Sequence, residues 1–284
     1  HLLEAIRLGE NHVENYSTAI SLLLDNGQLD EAVSLLERAE FMHPENPGFP
    51  RQRGRILRFQ EKFESALEAY EKSEKLALDL LSKEQMDSFL DSEFFFQFGI
   101  AAERLQDFER AASLFRKAID RITTDEPEES AKIYNYLGYM WLEQETNIDE
   151  AGELIRYANE LVPDSGAYVD SLGWYYFLKG EYQKAVDELL RAETLLENEF
   201  NNQFLELVAQ GVIELEERPP EGGADPVVLD HIAQAYHKLG KLDEAIRYSE
   251  KAAGLEGATE DIRARLESLR AERAAVDGAT EQTE

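Results

Sequence analysis

Apolar residues along this chain recur at i, i+3, i+4 and i+7 over stretches of about a dozen residues, with short polar turns between the stretches. That spacing puts the apolar side chains on one stripe of a helix, so the pattern predicts a succession of amphipathic helices. Between Ala131 and Glu199 one such pattern is written twice. The first copy reads AKIYNYLGYMWLEQETNIDEAGELIRYANELVPDS and the second GAYVDSLGWYYFLKGEYQKAVDELLRAETLLENE. Leu137-Gly138 aligns with Leu172-Gly173 and Trp141 with Tyr176, while Ala151 and Ala158 recur 34 residues later as Ala185 and Ala192. Each copy predicts a helix, a short turn and a second helix. A pair this short cannot bury its apolar faces alone, so it stacks on the next pair and the core runs along the array. Small residues mark the closest backbone approaches. Gly138, Gly173, Ala151 and Ala185 are expected to let the helices of one unit approach, and Ala158 and Ala192 to let the next unit dock. A larger side chain there would overpack the contact, at roughly 1–3 kcal/mol.

Extended along the chain, the period predicts six repeats, at 13–46, 47–80, 92–125, 131–165, 166–199 and 226–259. Ala5 and Leu2 fall 34 residues before Ala39 and Leu36, so residues 1–12 are expected to be the second helix of a truncated repeat belonging to a longer protein. Gly27 suits a left-handed turn between the helices of the first repeat, and Ser73 stands in the second where the pattern has alanine. Residues 81–91 are expected to lengthen a helix and form a loop. The run Phe94-Phe95-Phe96 with Phe98 is expected to pack on two sides of a sandwiched helix. Residues 200–225 interrupt the period, and their apolar positions predict a helix from Phe204 to Glu216 packed on the fifth or sixth repeat. Pro219-Pro220 and Gly222-Gly223 end it in a loop. A polar capping helix is predicted over 260–276 and a disordered tail over 277–284.

The period, with small residues at fixed places in two amphipathic helices, resembles the tetratricopeptide repeat family. The resemblance implies an all-α fold, a right-handed α-solenoid of tandem helix-turn-helix repeats, and a non-enzymatic scaffold that binds other proteins. The wording YLGYM…DEA…PDSGAYVDSLGWYY is similar to bacterial repeat proteins, many of them linked to the cell envelope, and leaves the compartment open between cytoplasm and periplasm. In this family the first helix of each repeat lines a concave groove with its second, fifth, ninth and twelfth positions. The last three share one helical stripe. Carried over, they are Ser17, Ser21 and Leu24 in the first repeat and Arg51, Arg55 and Arg58 in the second. Phe96, Ile100 and Glu103 follow, then Asn135, Tyr139 and Leu142, then Asp170, Trp174 and Phe177, and last Asp230, Gln234 and His237. The three arginines make a basic stripe, and Tyr139, Trp174 and Phe177 an aromatic patch. Arginine and aromatic residues are what binding hot spots favour; pairing with nearby acids and half-buried packing are their competing roles. The family's chaperone-binding members need a basic fifth residue with asparagine at the ninth, and no repeat here has that pair.

Composition narrows the partner. The 284 residues carry a formal net charge of −30, which disfavours nucleic acid and anionic membrane, since both require basic surface. No run approaches the about 18 apolar residues that cross a bilayer. The chain has no cysteine, so disulfides and thiolate chemistry are excluded. No phosphate loop, GxSxG or HExxH occurs, and His231 and His237 stand six apart, off the i, i+4 spacing of a helical metal pair. No catalytic, cofactor or metal site is therefore expected. The leading expectation is an extended peptide or partner helix held in the groove. The alternative is a docking or regulatory arm of a larger enzyme or envelope assembly, and self-association through exposed repeat faces is a third reading.

Overall fold

The computed structural model describes residue 6 and residues 12–123, 127–219 and 221–281. Among the described residues the elements with given bounds are fourteen α-helices and one 3-10 turn, with no strand. The chain divides into two compact units, 1–123 and 124–284.

In the first unit, α1 (Val13–Asp25) pairs with α2 (Leu29–Met42), α3 (Gly48–Phe59) with α4 (Phe63–Leu80), and α6 (Ser92–Arg104) with α7 (Phe108–Ile119). The short α5 (Lys83–Phe89) is inserted before α6. In the second unit, α8 (Pro127–Glu143) pairs with α9 (Ile148–Leu161), α10 (Gly166–Leu178) with α11 (Tyr182–Ala209), and α12 (Pro226–Lys238) with α13 (Leu242–Gly254). The last helix, α14 (Glu260–Glu281), packs on α12 and α13 through Ile262, Leu266 and Leu269.

The small residues sit where the period places them. A Cβ on Gly138 would lie 2.7 Å from Ile155 Cγ1, and one on Gly173 would lie 2.6 Å from Leu189 Cγ. Ala151, Ala158, Ala185 and Ala192 are fully buried. The turn inside each repeat needs one residue with positive φ. Gly27, Gly180 and Gly240 supply it in three repeats, while Glu61, Gln106 and Glu145 adopt it in the others, with Asn147 a second such residue in the longer turn of the fourth, at a cost of order 1 kcal/mol each. Ser73 does more than replace an alanine. It is fully buried, and its hydroxyl donates to the Pro47 carbonyl at 2.7 Å, which otherwise has only a long bond of 3.4 Å from the Arg51 N–H. Ser73→Ala is expected to lower the free energy of urea unfolding by about 1 kcal/mol.

Phe94, Phe95, Phe96 and Phe98 are all buried, as expected for a helix covered on two sides. Ile6 packs among Tyr16, Ala19 and Leu36, and its carbonyl accepts from Arg38 Nη2 at 3.3 Å; the rest of the expected leading half-repeat lies outside the described residues.

Three expectations are corrected. Residues 81–91 do not lengthen α4, because a capping box at Ser82 and Gln85 starts a new helix. The interruption after residue 199 does not begin a new helix at Phe204. α11 runs unbroken for 28 residues, since nothing between Glu199 and Ala209 breaks it, and it stops before Gly211 at φ +70. Only Phe204 of that apolar set is buried, while Leu205, Val212 and Leu215 are exposed. The loop beyond is tied back by Glu197, which accepts from the Gly223 N–H at 2.9 Å and from Arg218 Nη2 at 2.6 Å. The Gly223 bond does most to hold the Glu197 carboxyl below its ordinary range. The tail, finally, is helical to Glu281, where alanines such as Ala274 and Ala275 favour helix; residues 282–284 lie outside the described ones.

Candidate peptide groove

In the second unit α8, α10 and α12 lie side by side, so equivalent positions on these first helices share one face. α10 (GAYVDSLGWYYFL) is apolar nearly all round because neighbours cover most of it and its remaining stripe is aromatic. Trp174 and Phe177 are half-buried, and their rings stack at 4.5 Å and 7°. His231 of α12 stacks on the same indole at 4.2 Å and 14°. The indole Nε1–H is buried without a hydrogen-bond partner.

Beneath the stack lies an ion pair. Asp170 and His231 are 6% and 5% exposed, with Oδ1 and Nδ1 2.9 Å apart. Burial lowers the pKa of His231, but the charge and hydrogen bond of Asp170, helped by Asp230 and Glu143, outweigh it and leave the imidazole above its ordinary value. Asp230 accepts from Arg265 Nε at 2.9 and 3.2 Å and from Gln234 Nε2 at 2.9 Å. Each buried carboxylate thus has a cationic partner, which its removal from water requires.

Asn135 and Tyr139 of α8 are half-buried. Asn135 Oδ1 is buried with no partner. The Tyr139 phenol is pushed far above the usual tyrosine range, first by burial and then by the charges of Glu143 and Asp170; it remains a protonated donor at any physiological pH. At the other end of the row, Phe177, Gln234, His237, Arg265 and Leu269 help line a cavity of about 220 Å³. His237 Nε2 is 2.8 Å from a Glu272 carboxylate oxygen.

The structure therefore brings Asn135, Tyr139, Trp174, Phe177, Gln234 and His237 onto one face and withdraws others. Asp170 is a buried ion-pair partner and offers no open surface. Leu142, 1% exposed, is core. In the first unit Phe96 is 3% exposed and packs on Phe115 at 5.7 Å, so it cannot line a groove. Arg51 donates to Phe89 O at 2.9 Å and to Asp91 Oδ1 at 3.0 Å; it pairs with a neighbouring acid. Arg55 and Arg58 form no ion pair with an acid among the described residues. Two residues escaped sequence reasoning. His231 occupies a sixth position, off the family stripe, and Arg265 lies among cap charges that read as solvated; nothing local marks either as a partner for a carboxylate.

Among the described residues no group of His, Asp and Glu could hold a metal ion, and no helix is long and apolar enough to cross a membrane. Models of the tetratricopeptide repeat match residues 18–78 and 96–166 and residues 228–259, more than half of the chain. This chain belongs to the tetratricopeptide repeat family. Its fold is that family's all-α solenoid, and such folds serve as scaffolds for protein–protein interaction. A repeat-containing protein of this family from Pseudomonas aeruginosa is 29% identical over 175 residues, covering 60% of this chain and 26% of that relative. The chain thus corresponds to about a quarter of that protein's length. Among solved structures, Acl4, an assembly chaperone of RpL4, superposes with a TM-score of 0.62 at 14% identity, over 95% of this chain and 99% of the other. YrrB, described as a tetratricopeptide protein with an unusual peptide-binding site, superposes with a TM-score of 0.55 at 17% identity, over 74% and 97%. At such identities the likeness is one of fold.

Proposed function

We propose that the face formed by α8, α10 and α12 holds an extended peptide of a partner protein. One observation carries the reading: the adjacent helices α8 and α10 bear a half-buried aromatic stack and two orphaned polar atoms of opposite kind, the Trp174 Nε1 donor and the Asn135 Oδ1 acceptor. An extended backbone offers a carbonyl and an N–H to complement them, and its apolar side chains would cover the Trp174 and Phe177 rings. Buried polar atoms left unpaired are costly, so a ligand that satisfies them gains both hydrogen bonds and the relief of that cost. Tyr139, Gln234 and His237 extend the row on either side. The peptide-binding site named for YrrB supports the reading, since that protein shares the fold.

The test is selection of extended peptides from a displayed library on the whole chain, followed by calorimetric titration of an enriched peptide. Trp174→Ala is expected to weaken binding by about 2 kcal/mol or more, as for a hot-spot aromatic, and Asn135→Ala by about 1 kcal/mol. Unchanged affinity in both variants would place the site elsewhere. If Trp174→Ala lost binding together with its melting transition while Asn135→Ala bound normally, the stack would be packing and the reading would fail.

A further inference from the structure

The insertion at 200–225 supplies no groove residue, yet it builds a second concave surface in the same unit. The later turns of α11, the loop after it, the start of α12 and the last turn of α13 enclose a cavity of about 680 Å³, within the roughly 300–1,000 Å³ of ligand sites. Leu229, 2% exposed, and Leu255 give it an apolar floor, which Ala224 and Gly254 extend. The loop that walls it is fastened to α11. Arg218 donates to Asn201 Oδ1 at 2.8 Å, and its guanidinium lies 5.5 Å from the Phe200 ring centre. Gly223 approaches so closely that a Cβ there would be 2.4 Å from the Leu196 carbonyl oxygen.

Above that floor stand the carboxylates of Glu193, Glu197, Glu221 and Glu250, with the ammonium of Lys251 among them. Glu197 and Glu250 have guanidinium partners, Arg218 at 2.6 Å and Arg270 at 2.9 Å. Glu193 accepts from the Tyr248 hydroxyl at 3.2 Å and meets Lys251 only at 3.5 Å. Glu221 is exposed and forms no ion pair among the described residues. The insertion as a whole carries six acidic residues and one basic residue, Arg218. An apolar edge continues the wall along α11. Leu205 follows the cavity-lining Asn198 by seven residues and Val208 comes three later, so both fall on the helical stripe that faces the cavity. Leu205 is 55% exposed. The surface thus joins an apolar floor and edge to an excess of negative charge.

We propose that this cavity receives an arginine side chain of a partner protein, with leucine-like residues of the same segment covering Leu205 and the floor. A guanidinium is more weakly hydrated than an ammonium, so it loses less on entering a cavity with apolar walls, and its planar fork matches carboxylates such as those of Glu221 and Glu193. Charge selects this occupant over a second copy of the chain, which would bring another net charge of −30 against the same carboxylates. The site is apart from the groove, since none of Asn135, Tyr139, Trp174, Phe177, Gln234 and His237 lines it, and it does not rest on the peptide reading of that face.

The probe is a fluorescein-labelled, C-terminally amidated peptide, Gly-Leu-Arg-Ala-Leu-Arg-Gly-Ser, titrated by anisotropy against the full chain at about 0.15 M salt, where screening weakens general attraction. Companion peptides carry citrulline in place of both arginines, or serine in place of both leucines. Each is expected to bind at least about 10-fold more weakly, the first for want of charge-assisted hydrogen bonds and the second for want of apolar cover. Gly254→Phe should weaken the arginine–leucine peptide about 10-fold or more while keeping the melting transition, because a Cβ there meets nothing within 4 Å and the ring then fills the cavity. Glu221→Gln changes only an exposed side chain and should weaken binding about 5-fold, whereas Glu68→Gln, exposed on α4, should leave it unchanged. Absence of binding, parental affinity in the Glu221→Gln chain, or parental affinity in a Gly254→Phe chain that melts normally would overturn the proposal. So would a citrulline or serine peptide that binds as tightly as the first, or equal losses in the Glu221→Gln and Glu68→Gln chains, which would reduce the effect to general attraction or general stickiness of an acidic surface.

Discussion

Replacing Asp170 by alanine is expected to destabilise the 124–284 unit by about 3 kcal/mol and to reverse the sign of its pH dependence. Removing one partner of a buried pair leaves the other buried and unpaired, and that residue of charge is the main cost. Here the survivor is His231, 5% exposed and stacked on Trp174. In the parent chain its folded pKa lies above the ordinary 6.5, so the folded state holds this proton more tightly than the unfolded state. That contribution is complete below about pH 6.5 and is lost as pH rises through the folded value. Without Asp170, burial is the dominant influence on the imidazole, and it lowers the pKa; Asp230 is engaged by Arg265, and Glu143 contributes least. The unfolded chain then binds the proton more tightly, and stability rises with pH through about 6.5. Urea unfolding of both chains between about pH 5 and pH 9 separates the cases. Parallel pH profiles would mean that His231 is not the cationic partner of Asp170.

The second large effect concerns close packing between repeats. A Cβ on Gly152 of α9 would lie 2.2 Å from Tyr175 Cε2 and 2.5 Å from its Cζ. Tyr175 is 7% exposed, with the guanidinium of Arg156 5.3 Å from its ring centre, so the ring has little room to retreat. Gly152→Ala is expected to cost close to 3 kcal/mol, at the upper end of the overpacking range. Gly180→Ala makes an informative contrast. At φ +75 it meets nothing within 4 Å, so only backbone strain acts, at about 1 kcal/mol. Combining Gly152→Ala with Tyr175→Leu should cost less than the sum of the single changes, by about 1 kcal/mol or more, because the two share one contact. Additive losses would show that the ring is not what excludes the methyl group.

The small residues at close contacts and the all-α fold were legible because each depends on local periodicity. Gly173 and Ala185 recur in the text as they do in space, since one helix pair packs on the next by the same rule each time. The breaks in that rule were less legible. That α11 continues to Ala209 rather than yielding a new helix at Phe204 turned on the absence of a breaker, which carries less signal than a cap or a glycine does. The groove stripe followed from spacing, and Asn135, Tyr139, Trp174, Phe177, Gln234 and His237 do share a face. Whether each member of the stripe is open was decided by what packs against it. Phe96 turned inward onto Phe115, Asp170 was claimed by a histidine 61 positions away, and Arg51 by Asp91, 40 positions away. Burial and ion pairing at those separations depend on the rotation and spacing of stacked helices, and a pattern of period 34 specifies only that such stacking occurs. The sequence alone thus determined a repeating helical core. Tertiary packing decided which polar atoms are satisfied and which, at Trp174, Asn135, Arg58 and Tyr70, have no hydrogen-bond partner among the described residues.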